Sequence, residues 1–332
     1  MVVKMTEKQI PQMRAPQTQM RAVYTQILMR LAEKDENIVL LEADLMRASG
    51  TKPFEQAFPD RTFNIGVAEA NMVSIAAGLS TLGKIPFANT FGCFAARRAF
   101  DQFFISANYA RLSVKLVGTD PGVSAAYNGG THMPFEDLGL MRNIPKLVIF
   151  EPCDPVSLEK LVPQSAYHQG CTYMRLHRYA VPAIYDADAD IKLGQGNVLR
   201  DGDGITLIAT GAIMVTEALR AADMLHKDGV SAAVIDMHTV KPVDEALILQ
   251  YAAKTGAIVT CENHQIYNGL GSAVAEVLSE HRPTLMRRIG VNDEFGEVGT
   301  MEYLQERYGM TAENIHRQTM ALLEAKSAGV AN

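Results

Sequence analysis

The sequence predicts an α/β protein of two units, each a mostly parallel sheet with helices on both faces. Three observations carry this expectation. Short apolar runs alternate with longer stretches of helical periodicity along nearly the whole chain, the pattern of strand–helix–strand crossovers. One polar stretch, "DADADIKLGQGNVLRDGDG" (186–204), interrupts the alternation. The 332 residues are enough for two separate cores.

Residues 1–17 read as a loose arm broken by Pro11 and Pro16. A helix follows over 18–34, with Met20, Val23, Ile27 and Leu31 on one stripe. "NIVLLEAD" (37–44) is a short buried strand that ends in acidic residues. A helix over about Val67–Leu82, a strand at 85–91, a helix over 93–108 and a strand at 112–118 come next. A glycine-bearing loop spans 119–133, and a helix near 134–142, a strand "KLVIF", a helix from Pro155 to His168 and a strand "TYMRL" close a first unit at residue 185. The stretch 186–204 reads as linker and turn. From 205 the alternation resumes: strand "ITLIAT", helix 212–228, strand "SAAVID", helix 243–253, strand "GAIVT", helix 271–281 and strand "MRRIGV", a second and smaller unit over 205–332.

Composition narrows the function. A net charge of −6 without a Lys/Arg block gives no footprint for nucleic acid. Cys93, Cys153, Cys171 and Cys261 have neither C-x-x-C pairing nor zinc spacing, which suits buried thiols in a reducing compartment. No run reaches the roughly 18 apolar residues of a membrane span, and the N-terminus lacks the apolar centre of a signal peptide. The expectation is a soluble cytoplasmic protein.

Two glycine motifs look like phosphate loops and fail. "GDG" (202–204) is not followed by an asparagine in "KDGVSAAVI" (227–235), so it reads as a turn before a strand. "NGLGSAV" (268–274) lacks the third glycine of a dinucleotide loop and reads as helix-start glycines for close packing.

Glu69 is the residue that demands an explanation. In "FNIGVAEANMVSIAAGLS" it stands at the start of what reads as a fully buried helix, apolar all round and with no other charge, on the face of Met72, Val73 and Ala76. A buried carboxylate without a partner is costly, so it takes a proton or a committed partner. Three further features fall on the carboxyl side of strands, where open parallel sheets bind ligands. Phe91 ends "IPFANTF" and Phe94 follows it; the 118–133 loop carries Asp120, Asn128 and His132; "RLHRYAVP" offers Arg175, His177 and Arg178. Taken singly, each has a plainer reading: core aromatics, a loop histidine, a surface charge.

Together, "FPDRTFNIGVAEANMVSIAAGLS", "NTFGCFAARRAFDQ", "GGTHMPFEDLGLMR" and "DMHTVKPVDEA…ENHQIYNGLGSAVAE" resemble, in that order, the C-terminal half of transketolase. The resemblance covers nearly the whole chain after the arm. It implies a thiamine diphosphate pyrimidine-binding domain over 18–185, joined to a transketolase C-terminal domain over 205–332. The family's diphosphate-binding domain has no counterpart here. The chain therefore resembles one subunit of a split transketolase, which implies a partner N-terminal transketolase subunit, an A2B2 assembly, and a Mg²⁺ or Ca²⁺ ion held mainly by that partner, with no metal ligand in this chain. In thiamine enzymes a glutamate hydrogen-bonds N1′ of the aminopyrimidine. That nitrogen is a weak base and needs a nearby proton donor of raised pKa. The resemblance gives this role to Glu69. It places Phe91 and Phe94 on the pyrimidine ring, Asp44 near the cofactor, His132 near substrate hydroxyls, and Arg178 and Arg21 on a sugar phosphate.

The pattern also departs. Asp120 stands where a histidine usually contacts the phosphate end, and Asn128 where an aspartate bonds a donor hydroxyl. Ala126-Tyr127 replaces Gly-Glu, and Arg97 replaces a third aromatic near the pyrimidine. These changes point to ketol transfer on a non-standard ketose. The rivals are the β subunit of a 2-oxo acid dehydrogenase, a 1-deoxyxylulose 5-phosphate synthase, a non-catalytic scaffold, and a plain flavodoxin-like binding module. The role of "ENHQ" (262–265) stays open, with a structural part as one reading.

Overall fold

The computed structural model describes residues 13–16 and 18–329; the rest of the expected arm lies outside the described residues. Two sheets organise the chain. The first contains β1 (Ile38–Glu42), β2 (Thr62–Asn64), β3 (Ile85–Phe91), β4 (Lys115–Thr119), β5 (Val148–Phe150) and β6 (Thr172–Leu176), with the short β10 (Thr239–Lys241) from the second half of the chain. The second contains β7 (Asn197–Arg200), β8 (Ile205–Ala209), β9 (Ala232–Asp236), β11 (Ala257–Gln265) and β12 (Leu285–Val291). The orders are β10-β5-β6-β4-β3-β1-β2 and β12-β11-β8-β9-β7. All pairings are parallel except two: β10 runs antiparallel to β5, and β7 antiparallel to β9.

The apolar runs become strands because both faces of each sheet are covered. β1, β4, β6, β8 and β9 are buried at every position. Helices Met20–Lys34 and Pro155–Tyr167 pack against each other over one face of the first sheet. The helix Glu69–Thr81 covers the other face, with Met72, Val73, Ala76 and Ala77 in the core beside Leu41, Ala88 and Leu116.

Several expectations change. The helix carrying Glu69 is not buried all round: Asn71, Ser74, Gly78 and Thr81 face outward, and Leu82 is 77% exposed. A helix lying on one sheet buries only one stripe, and nothing among the described residues covers the other. The helix expected over 93–108 is three pieces: Gly92–Arg97, Phe100–Gln102 and a π-helical turn at Phe103–Tyr109. The polar stretch 186–204 is more than linker, because Asn197–Arg200 forms the edge strand β7. The loop over 119–133 contains two 3₁₀ turns. The "GDG" at 202–204 is a turn entering β8, with Gly202 pressed on the backbone of Ala232. In "NGLGSAV", Gly269 and Gly271 make room for Glu262, whose carboxylate accepts from the amides of Leu270 (2.7 Å) and Gly271 (2.8 Å) at the start of the helix Leu270–His281.

Candidate active site

In the first sheet the chain leaves β1 for β2 on one side and continues through β3 and β4 on the other, so β1 and β3 flank the point where strand order reverses. Ligands bind outside the carboxyl ends of strands at such points. Four neighbouring strands end there. Phe91 is the last residue of β3; Asp44 lies two residues past β1, Asp120 one past β4, and His177 and Arg178 one and two past β6. Asp44 and Asp120 both take left-handed backbone angles (φ +61° and +58°), which aspartate tolerates and which turn the chain sharply off its strand.

Glu69 is 3% exposed, and it has a partner. Nη1 of Arg98 donates to its two carboxylate oxygens at 3.2 and 3.4 Å. The same guanidinium lies over the Phe94 ring, 3.9 Å from its centroid. Phe94 and Phe91 are 5.9 Å apart, and His132 meets both edge-on at 5.3 and 5.9 Å. Glu69, Phe91, Phe94 and His132, predicted from separate segments, therefore form one contact chain. Arg98 completes it. Sequence reasoning passed over Arg98; the signal available was the need of Glu69 for a cation.

Arg97, the departure from an aromatic, has a local explanation. It donates to the carbonyls of Cys93 (3.2 Å) and Thr131 (2.7 Å) and pairs with Glu136 (3.4 Å), tying the start of the helix after β3 to the turn that presents His132. The loop ahead of that turn is held against the second unit. Gly130 abuts the Gly296 carbonyl so closely that a Cβ would lie 1.9 Å from its oxygen. Ala126 keeps φ +46° with ψ −117°, a conformation that costs any residue with a Cβ and that glycine adopts freely. Asn128 is exposed and makes no side-chain hydrogen bond among the described residues, so it does not join the others. Asp44 is also exposed; its carboxylate accepts from Asn64 at the neighbouring strand end (3.2 Å).

At the far side of the cluster, Nη2 of Arg178 donates to Asp120 Oδ2 at 2.5 Å, and its guanidinium sits 5.5 Å from the Phe91 ring centroid. Burial pushes the Asp120 carboxyl up from its usual range, against the pull of Arg178 and Arg21. Arg21 is anchored by Gln19 and by the carbonyls of Arg47 and Ala48. His177 is 2% exposed, and burial beside Arg178 lowers it to about 4. Arg175 is no ligand candidate. It is fully buried within β6 and bonded to Asp137 (2.8 Å), Glu151 (2.7 Å) and the Asn263 carbonyl (3.0 Å). Clefts of about 610 and 640 Å³ lie elsewhere, and neither is lined by Glu69, Phe91, Phe94 or His132.

Residues 16–183 match the transketolase pyrimidine-binding domain, and residues 194–315 the transketolase C-terminal domain. The chain belongs to the transketolase family. It is 48% identical to the 6-deoxy-6-sulfo-D-fructose transketolase subunit SqwH of Clostridium sp. (strain MSTE9), over 93% of this chain and 95% of that one. It is 40% identical to a putative transketolase C-terminal section of Methanocaldococcus jannaschii, over 91% and 95%. Among solved structures, a split-gene transketolase described as an inactive beta4 tetramer matches with a TM-score of 0.84 and 42% identity, over 92% of this chain and 98% of that one. The transketolase of Campylobacter jejuni matches in fold, with a TM-score of 0.78 and 22% identity, over 91% of this chain but 46% of that one. The two family domains agree with the two α/β sheets, and this chain is similar to subunits of divided transketolases.

Proposed function

We propose that this chain is the pyrimidine-binding subunit of a two-chain, thiamine diphosphate-dependent transketolase. It moves a two-carbon ketol unit from a ketose to an aldose, on a sugar outside the standard set. The observation that carries the reading is Glu69: a buried carboxylate at a helix start, joined through one half-exposed cation to a Phe91–Phe94–His132 cluster at the sheet's reversal point. The residues fit an aminopyrimidine. A ring of that kind needs a carboxyl group at one edge and aromatic faces beside it, and the planar, hydrogen-bonding Arg98 guanidinium rests in such surroundings.

When bound, thiamine diphosphate supplies the carbon nucleophile and electron sink needed to break a bond beside a ketose carbonyl. The chain's own residues do the rest of the work on this side of the cleft. Glu69 holds a proton against the ring nitrogen N1′, where burial keeps water from competing for it. Phe91 and Phe94 fix the plane of the ring. His132, steadied by its T-shaped contacts with both rings, hydrogen-bonds substrate hydroxyls. Arg21 and Arg178 read the charged end of the sugar, Asn128 bonds a donor hydroxyl without a charge, and Asp44 lies at the junction with the partner. The partner is a second chain with the diphosphate-binding half and the Mg²⁺ or Ca²⁺ site, in an A2B2 complex. Support comes from the exposed stripe of the Glu69 helix, from the exposed apolar residues that flank that helix, Val67 (72%) and Leu82 (77%), and from the relative described as an inactive tetramer of β chains. The relative named for sulfofructose supports a non-standard sugar.

Native mass spectrometry of the chain purified from its own cells, with an assay for bound thiamine diphosphate, tests the assembly. A co-purifying chain with cofactor is expected. Within that complex, Glu69→Ala should retain assembly and lose ketol transfer. A fully active Glu69→Ala complex would make the chain a scaffold, and pyruvate decarboxylation by the wild-type complex would move it to the 2-oxo acid enzymes.

A further inference from the structure

Three buried polar atoms of neighbouring strand ends have no hydrogen-bond partner among the described residues: Asp120 Oδ1, His177 Nε2 and Arg178 Nε. They stand at the ends of β4 and β6, which are neighbours in the sheet, and the Asp120 amide donates to the Leu176 carbonyl to hold the two ends together. Groups this deeply buried are normally satisfied, so a cluster left open at a strand edge points to a polar ligand. Arg178 faces Phe91, which places this ligand end beside the aromatic cluster.

The charge of the cluster can be counted. Arg178 and Arg21 contribute two positive charges, and the Arg21 amide donates to the Arg178 carbonyl, fastening the two segments side by side. Asp120, bonded to a guanidinium that does not deprotonate, contributes one negative charge. His177 is neutral at pH 7. The sum is one positive charge. A pocket of that charge neutralises a monoanion. A dianion would leave one charge buried and uncompensated, and its desolvation cost grows as the square of its charge while its attraction to the pocket grows only linearly.

We propose that Asp120 sets the charge of the sugar end this subunit accepts: by engaging Arg178 it leaves one net positive charge, which suits a sulfonate monoanion and disfavours a phosphate dianion. The two end groups share a tetrahedral oxyanion shape, so shape alone separates them poorly. A phosphate ester carries about −1.5 to −2 at pH 7, whereas a sulfonate carries a single charge. This inference rests on the proposed function only in placing a sugar at this edge.

The test compares 6-deoxy-6-sulfofructose with fructose 6-phosphate on the assembled two-chain complex. It uses kcat/KM for ketol transfer and, separately, calorimetric binding of each sugar without an acceptor. The wild type is expected to favour the sulfonate by about tenfold or more, the scale of one elementary charge near the surface of a protein. Asp120→Asn keeps the shape, raises the pocket charge and should lower that ratio about tenfold. Arg21→Gln lowers the charge, lies at the half-buried rim and should raise the ratio, so the idea remains testable if Asp120→Asn does not fold. A wild type that prefers phosphate, or ratios that both variants leave unchanged, would overturn the inference while ketol transfer itself upholds the proposed function. Sulfonate-selective binding without any transfer would uphold the inference and overturn the proposed function. Binding of neither sugar overturns the inference.

Discussion

Glu69 and Arg98 hold each other across the mouth of the first sheet, and the pair has unequal members. The carboxylate is 3% exposed, whereas the guanidinium side chain is 49% exposed and also spends its flat face on Phe94. Removing the cation leaves a buried acceptor without a donor, and the half-exposed position of Arg98 keeps the cost near 1–2 kcal/mol. Arg98→Ala should therefore lower the melting temperature of the cofactor-free complex by a few degrees. It should also widen the stabilisation that added thiamine diphosphate confers, because the Phe94 face is then free. Thermal melts with and without the cofactor check this, and an unchanged cofactor-induced increment would show that Arg98 does not compete for that face. Glu69 could be singled out in the sequence because a lone charge in an apolar helix is conspicuous. Arg98 could not, because it sits in "ARRAF" with nothing to separate it from Arg97, and only the folded chain shows that one turns toward Glu69 and the other toward Thr131.

Elements rather than residues decide how His132 is presented. The turn Gly130–His132 has few bonds of its own, and Arg97 reaches it from the helix Gly92–Arg97 through the Thr131 carbonyl at 2.7 Å. Arg97→Ala deletes that tether and should leave the core intact, since Arg97 is exposed at the site rim. Amide exchange over residues 129–133 should rise while the helix Glu69–Thr81 exchanges as before, and kcat/KM of the complex should fall by about tenfold through misplacement of His132. Equal exchange in both proteins would remove Arg97 from this role. At this scale the sequence was readable where burial is uniform: β3 and β6 fall over the residues their apolar runs mark. It was less readable where side chains redirect the backbone. The Asn108 side-chain amide donates to the Phe103 carbonyl at 2.7 Å within the π-helical turn, a local bond that periodicity does not reveal. The short strands β2, β7 and β10 were missed because three or four residues at a sheet edge carry too little pattern.

The two halves of the molecule are joined through buried polar groups, not only through apolar contact. β10 crosses from the second half to pair with β5, and Asn263 bonds the loop after β4 through Pro121 (2.9 Å) and Val123 (3.0 Å) while its carbonyl accepts from Arg175. The "ENHQ" segment thus has a structural part: Glu262 caps a helix and Asn263 ties the units. None of this junction was legible, because its members lie far apart in the chain and each looks ordinary alone. Asp236 is the member whose charge can be tested. It ends β9 and accepts from Tyr185 (2.8 Å) and Cys153 (3.2 Å) of the first half, with its other oxygen unpartnered among the described residues. Burial, with smaller contributions from Asp154 and Glu151, raises its pKa from 3.8 to about 7. A carboxyl raised in the folded state contributes stability that is complete below its ordinary value and is lost as pH climbs through about 7, because only the unfolded chain releases the proton freely. Asparagine keeps an oxygen for Tyr185 and Cys153 and has no proton to lose. In urea unfolding Asp236→Asn should therefore gain on wild type by roughly 2–3 kcal/mol between pH 5 and pH 8, with the gap constant above that. A difference that is the same at both pH values would mean that Asp236 matters for its hydrogen bonds and not for a charge held at the seam between the halves.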